Sequence, residues 1–391
     1  MTAAQVDIVE VSVVMPCLNE ADTLEVCIRK AQTAFRDAGI AGEIVIADNG
    51  STDKSVEIAH SLGSRVVNVE QKGYGSALMG GIEAARGRYV IMGDADDSYD
   101  WLEIPKFVNK LNEGYDLVQG CRLPSGGGKV LPGAMPFLHR WVGNPMFSYL
   151  ARLWFTTPVH DVHCGMRAFT KSFYETLNQK CTGMEFATEM LINATFHPCR
   201  ITEVPITLHP DGRIGKAPHL KTFRDGWRHL RHYLLFSPRW LFLFPGMFLV
   251  LLGVLLGFLG LIGANIGGAV LDVHTLLFGS LAVLCGYQSV LFAILTKTFA
   301  ITENLMPADA RMLKFFEIVN LERGLIVAAG ALLVGIFLLL AAINQWRAVG
   351  FGNLNYSDTM RLVIPGSTLV VIGFQTVLFG FFASILGLKR R

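Results

Sequence analysis

Residues 93–100 read GDADDSYD, with four aspartates packed directly behind the apolar run RYVIM. Like charges this close repel, so a stable chain keeps them only where a cation or cationic ligand is there to be held. The side-chain oxygens of Asp94, Asp96, Asp97, Ser98 and Asp100 are hard donors of the kind divalent cations take. Two more polar clusters, PCLNE at 16–20 and DNGSTD at 48–53, also close apolar runs.

Those runs need a sheet to place them. The short stretches VSVVMP, EIVIAD, RVVNV and RYVIMG alternate with helical periodicity, as over residues 20–38, where Leu24, Cys27, Ile28, Ala31 and Phe35 share a face. The order βαβαβαβ predicts an α/β fold with a mainly parallel, Rossmann-like sheet covered by helices on both faces. Ligands of such sheets sit at the carboxyl ends of the strands, where the polar clusters fall. The first turn carries no G-x-G-x-x-G, and KGYGSA at 72–77 comes too late and lacks a third glycine. With no phosphate-loop string either, dinucleotide-dependent hydride transfer and P-loop ATP hydrolysis lose their main support.

The whole chain, 391 residues at 51% hydrophobic and a mean hydropathy of +0.41, is too apolar for an ordinary soluble enzyme. The excess lies beyond about residue 234, in four stretches at 240–262, 275–295, 324–343 and 362–386. A membrane span needs about 20 residues, so each is long enough. Segment 297–323 holds four Lys/Arg and the tail ends Lys389, Arg390, Arg391, against none in 263–274 and two in 344–361. The positive-inside rule then puts both termini and the N-terminal half in the cytoplasm. Ahead of the first span, Lys221, Arg224, Arg228 and Arg231 form a basic stripe, with Phe223, Trp227, Leu230 and Leu234 on another side. That is the pattern of a helix lying on an anionic membrane surface, and residues 308–319 read as a second. The expected organisation is a catalytic domain at 1–217, an amphipathic region at 218–239 and a transmembrane domain at 240–391. The start reads as a strand and not as a signal peptide. Seven scattered cysteines without C-x-x-C spacing indicate neither a disulfide framework nor a zinc site. A net charge of +2 without basic and aromatic interleaving argues against nucleic acid as a partner.

Five strings in order, VVMPCLNE, IADNGSTDKS, KGYGSALMGGI, GDADD and DVHCGMRAF, resemble the inverting GT-A glycosyltransferases of family 2 over about residues 10–210. With four C-terminal spans, the chain is most similar to the polyprenyl-phosphate group of the dolichol-phosphate-mannose-synthase type. The resemblance implies that Asp94-Ala95-Asp96 is the family's D-x-D, with Asp96 on Mg²⁺ or Mn²⁺, Asp94 toward metal and ribose or sugar, and Ser98 at a further ligand position. It assigns Pro16, Leu18, Glu20, Asp48 and Asn49, together with Asp94 and Ala95, to the nucleotide sugar, and brings Lys72 toward the diphosphate. Arg122 corresponds to an arginine that meets the acceptor phosphate, and Arg140 and Arg213 are further candidates. Around Arg213 this chain has RIGKAPHLK where many relatives show R-x-x-G-x-S-K. Asp161 falls near the acceptor, as base or as orienting group, with Arg167 structural, His163 either a proton acceptor or a structural histidine, and Glu185 and Glu189 supporting that loop. Asp97 and Asp100 carry no assigned role.

The expected activity is inverting, metal-dependent hexosyl transfer from a nucleotide diphosphate sugar to a polyprenyl phosphate, at the cytoplasmic face of the plasma membrane. A transferase to ceramide or diacylglycerol, or a processive polysaccharide synthase, is the enzymatic alternative. Those relatives carry [QR]-x-x-R-W before a membrane helix, whereas FSPRW here has Phe236 in the first position. A lipid-linked scaffold or flippase partner is the non-enzymatic one. UDP and GDP donors stay open, as does a homo-oligomer formed through the spans.

Overall fold

The computed structural model describes residues 9–213, 222–303, 305–307 and 320–387. By contact the chain divides into two compact units, Met1–Phe236 and Ser237–Arg391. The first unit begins with β1 (Val11–Cys17), α1 (Leu24–Ala38), β2 (Gly42–Asp48), α2 (Ser55–Ser61), β3 (Arg65–Asn68), α3 (Tyr74–Ala84) and β4 (Tyr89–Met92). It continues with α4 (Ile104–Asn112), β5 (Leu117–Cys121), β6 (Lys129–Val130), α5 (Asn144–Phe155), β7 (Arg167–Thr170), α6 (Lys171–Thr176) and α7 (Phe186–Thr195). β8 (Ile201–Pro205), β9 (Thr207–Leu208) and α8 (Thr222–Leu235) complete it.

Seven strands form one sheet in the order β3-β2-β1-β4-β7-β5-β8. All pairs are parallel except those of β7, which runs against both β4 and β5. This is the mainly parallel GT-A type of sheet, and the reversed strand matters for the site. Arg167, the first residue of β7, lies opposite Met92, the last of β4, so the loop that enters β7 arrives where the parallel strands end.

Alternation along β1 divides the core. Val11, Val13 and Met15 point into a layer with Leu24 and Ile28 of α1 and Phe107 of α4, whereas Val14 packs with Leu78 and Ile82 of α3 on the opposite face. Each such side chain, fully buried, contributes about 1.5–3 kcal/mol. In α1 the buried residues are Leu24, Cys27, Ile28, Ala31, Ala34 and Phe35, the face its periodicity requires, and Gly39 ends the helix at φ 64°.

KGYGSA has a packing role. A Cβ on Gly75 would fall 2.2 Å from the Cys181 carbonyl oxygen, and the Gly75 amide donates to the Thr182 carbonyl at 2.9 Å. The glycines let another backbone lie directly on the start of α3.

Helix α8 has three faces and not two. Asp225, His229, His232 and Tyr233 are buried within the first unit, while Phe223 and Trp227 remain 85% and 59% exposed. The basic and apolar stripes are legible in sequence, but the histidine face is not, because histidine and aspartate on a surface helix read as solvated. Lys221, the 217/218 boundary, the 308–319 helix and the Lys389–Arg391 tail lie outside the described residues.

In the second unit four helices are long and apolar enough to cross a membrane: Arg239–Ile262, Val273–Thr302, Leu321–Ala348 and Tyr356–Leu386. We label them α9 (regular over Phe244–Ile262), α10 (Val273–Thr302), α11 (Leu321–Ala348) and α12 (Tyr356–Gly387). α9 and α10 meet through glycine: a Cβ on Gly253 would fall 2.5 Å from the Gly279 carbonyl oxygen. Ser280 with Thr368 and Tyr287 with Thr376 make hydrogen bonds of 2.5 and 2.6 Å between α10 and α12.

Candidate active site

The aspartate run leaves the end of β4 and is pinned on both sides. Thr23 donates from its hydroxyl to the Ala95 carbonyl at 2.7 Å, and the Gly212 and His209 amides donate to the carbonyls of Asp96 and Ser98, each at 2.9 Å. Within the run the four acids part company. Asp94 Oδ1 accepts from the Tyr74 hydroxyl at 2.8 Å. Asp96 Oδ1 accepts from the Ser98 amide at 3.0 Å, and its Oδ2 lies 3.6 Å from Arg213 Nη2. Asp97, at φ 58°, pairs with Lys30 at 2.8 Å, and Asp100 caps a short helical turn through the Leu102 amide at 3.1 Å. Burial, and then the Asp96 charge, push the Asp94 carboxyl up to about 7, against the pull of Tyr74, Arg122 and Arg213.

Arg122 follows the end of β5. Its Nε and Nη2 donate to the two carboxylate oxygens of Asp161 at 2.7 and 2.9 Å, and its own amide donates to Oδ2 at 3.0 Å. Asp161 is fully buried and the Arg122 side chain 9% exposed. No hydrogen bond of Arg122 Nη1 occurs among the described residues. The loop carrying Asp161 is held from behind: Glu203 accepts from the Asp161 amide at 3.1 Å, and Gln119 donates to the carbonyls of Asp161 and Cys164 at 3.1 and 2.9 Å. Arg167, fully buried, donates to the Ala187 and Cys164 carbonyls at 2.6 and 2.8 Å. Two neighbouring carboxylates, Asp94 and Asp96, thus stand near a buried arginine clamp, at the end of a sheet of this topology.

Residues 12–177 match the model of glycosyl transferase family 2, and residues 294–387 match that of the glycosyltransferase family 2 C-terminal transmembrane region. Over 377 residues the chain is 39% identical to the low-salt glycan biosynthesis hexosyltransferase Agl6 of Haloferax volcanii, covering 96% of this chain and 89% of that one. The chain belongs to glycosyltransferase family 2. A dolichyl-phosphate hexose transferase of the same organism is 36% identical over 165 residues, 42% of this chain and 68% of that protein. The glycosyltransferase AglJ, also from Haloferax volcanii, is 33% identical over 217 residues, 55% of this chain and 68% of its own. The protein is therefore a transferase, a GT-A domain joined to a membrane region.

Other residues singled out in the sequence fall differently in this transferase. Asp48 and Asn49, read as nucleotide contacts, are both buried and engaged by the chain. Asp48 accepts from the Gly50 and Ser51 amides at 3.0 and 3.2 Å, an Asx turn. Asn49 donates to the Val69 and Gln71 carbonyls at 2.9 and 2.8 Å and accepts from the Gly73 amide at 2.9 Å, which occupies both amide hydrogens and one lone pair of Oδ1. Lys72 folds back to donate to the Asn49 carbonyl at 2.6 Å. Pro16 is half-buried, Leu18 is 40% exposed and Glu20 is buried with its Oε1 3.4 Å from Arg213 Nη1. Arg213, read as an acceptor-phosphate residue, thus stands on the Glu20 and Asp96 side of the site. Arg140 lies over Trp141 at 5.2 Å and makes no hydrogen bond or ion pair to the aspartates among the described residues. Glu189 accepts from the amides of Lys180 and Cys181 at 3.0 and 2.8 Å, and so holds the backbone at 180–181. His163 is half-buried and lies against His229, ring centroids 4.5 Å apart, and burial followed by that neighbour draws its pKa well below the usual histidine range. Tyr74, Tyr99 and Glu203 were missed as contributors. Both tyrosines lie inside quoted motifs, but nothing local showed that Tyr99 would accept from the Gly165 amide at 2.8 Å and tie the two loops together.

Proposed function

We propose that this transferase moves a hexose from a nucleotide diphosphate sugar to a polyprenyl phosphate, by single displacement with inversion, at the cytoplasmic face of the membrane. The observation that carries the reading is the Arg122–Asp161 clamp beside Asp94 and Asp96 in a chain with four apolar spans. The relatives named hexosyltransferase and dolichyl-phosphate hexose transferase support the sugar and acceptor classes.

No group of three or more His, Cys, Asp or Glu suited to a metal exists among the described residues. That fits Mg²⁺ or Mn²⁺ arriving with a diphosphate, since such ions are held by one or two carboxylates plus substrate phosphates and water. The raised Asp94 pKa fits too, because burial first and the Asp96 charge second disfavour its ionised form, and a bound cation would offset both. Asp96 and Asp94 would hold the ion, with Ser98 beside them; when bound, it neutralises charge on the departing diphosphate. Tyr74 fixes the Asp94 carboxylate, and Pro16, Leu18 and Glu20 line the nucleotide side. Arg122 presents Nη1 to the acceptor phosphate while Asp161 holds the guanidinium plane. A phosphate monoester has its second pKa near ~6, so its oxygen is already ionised at neutral pH and needs no base. Asp161 is accordingly an orienting group.

The test is full-length protein in detergent with UDP- and GDP-hexoses, undecaprenyl or dolichyl phosphate, and Mn²⁺. A lipid-phosphate hexose of inverted anomeric configuration is expected, lost in Asp96→Ala. Transfer to ceramide or diacylglycerol instead, or equal product from Asp96→Ala, overturns the reading.

A further inference from the structure

The segment after β9 returns across the aspartate run and hydrogen-bonds its backbone at Ser98 and Asp96. This places the Arg213 guanidinium among three carboxylates. It forms a two-pronged pair with Asp211, and it lies 3.4 Å from Glu20 Oε1 and 3.6 Å from Asp96 Oδ2, with its side chain only 7% exposed. The other Asp96 oxygen accepts from the Ser98 amide. The Oδ2 edge, which a divalent cation would take, is therefore faced by an arginine.

We propose that Arg213 is a resident counter-cation of Asp96, so that a divalent cation binds tightly only together with a nucleoside diphosphate. The inference rests on the reading of Asp96 as a metal ligand. Two cations sharing one carboxylate edge repel at a separation where the low local dielectric leaves that repulsion strong. A diphosphate removes the conflict by bringing negative charge for both. Asp211 gives the guanidinium a second partner on its own segment, so leaving Asp96 takes a side-chain swing and no unfolding. Arg213 is a positioning residue in this sense: it sets the order and synergy of ligand binding.

The experiment titrates Mn²⁺ into the full-length protein in detergent, reading free Mn²⁺ by electron paramagnetic resonance, alone and with saturating UDP or GDP. The wild type should bind Mn²⁺ weakly alone and at least ~10-fold tighter with whichever nucleotide fits. Arg213→Met and Arg213→Gln should bind Mn²⁺ alone about 10-fold tighter than the wild type, with the nucleotide's enhancement reduced, while Arg213→Lys stays near the wild type. Unchanged or weaker Mn²⁺ binding in both neutral variants overturns the proposal, as does equal tightening in Arg213→Lys, which would assign the effect to packing. Either neutral variant suffices if the other fails to fold. Asp96→Asn separates the two readings. If it leaves Mn²⁺ binding unchanged, the metal assignment itself falls; if it weakens binding while the Arg213 variants do nothing, only the counter-cation proposal falls.

Discussion

Asp161 and Arg122 show how much one buried pair decides. Because both Asp161 oxygens are held by Arg122, Asp161→Asn strands a buried guanidinium and should cost about 3 kcal/mol of stability, read by fluorescence-monitored unfolding of the full chain. If Asp161 orients and does not deprotonate, the residual activity of Asp161→Asn should keep the acid limb of the wild-type pH–rate profile, near the acceptor phosphate's second pKa of ~6. A limb that disappears in this variant would make Asp161 the base after all. Tyr74 makes a smaller contribution. Tyr74→Phe removes one hydrogen bond to Asp94, worth about 1 kcal/mol, and should raise the donor KM roughly 5-fold with the fold unchanged. An unchanged KM would show that Asp94 needs no such alignment.

Among elements, α8 has a pH dependence that its sequence pattern hides. His232 is buried beside Glu185, His229, Arg231 and the Cys181 sulfur, and burial drives its pKa down to about 4; burial lowers His229 and His163 too. A histidine whose folded pKa lies below its unfolded value stabilises the fold less as pH falls, because the unfolded chain then binds more protons. The loss begins near the unfolded value of ~6.5 and is complete near the folded one. For His232 it should reach about 2 kcal/mol by pH 5. Hydrogen exchange in α8 should therefore be faster relative to the intrinsic rate at pH 5 than at pH 7.5, and His232→Asn should lessen the difference. The α3 start makes a different demand. Gly75→Ala puts a methyl into the Cys181 carbonyl and should cost about 1–3 kcal/mol by thermal unfolding.

For the whole molecule, the unequal loop charges predict that residues 344–361 lie outside and 297–323 inside. Asn353→Cys should accordingly react with a membrane-impermeant maleimide added to intact cells. Protection until the cells are opened would reverse the assigned orientation. The spans themselves were readable at sight, since a run of apolar residues about 20 long has few alternatives. The glycine contacts of α9 with α10 were not, because in lipid the driving force is close approach and not burial of apolar surface.

The residues at the strand ends, the apolar periods and the five family strings were enough to define an α/β sheet, a membrane region and the Asp94-Ala95-Asp96 element, because each depends on neighbours in sequence. Sequence could not separate Asp48, which closes an Asx turn, from Asp96, whose Oδ2 meets Arg213; both are aspartates that follow an apolar strand run. It also could not place Arg213 with Glu20, 193 positions away, or deliver Asp161 to Arg122 across 39. Those pairings depend on β7 running against its neighbours and on the 209–213 segment crossing the aspartate loop. Residue types and their order are enough to say which groups could do the chemistry. Which of them the chain itself engages depends on the folded arrangement, because a charged group's partners are set by distance in space and by burial.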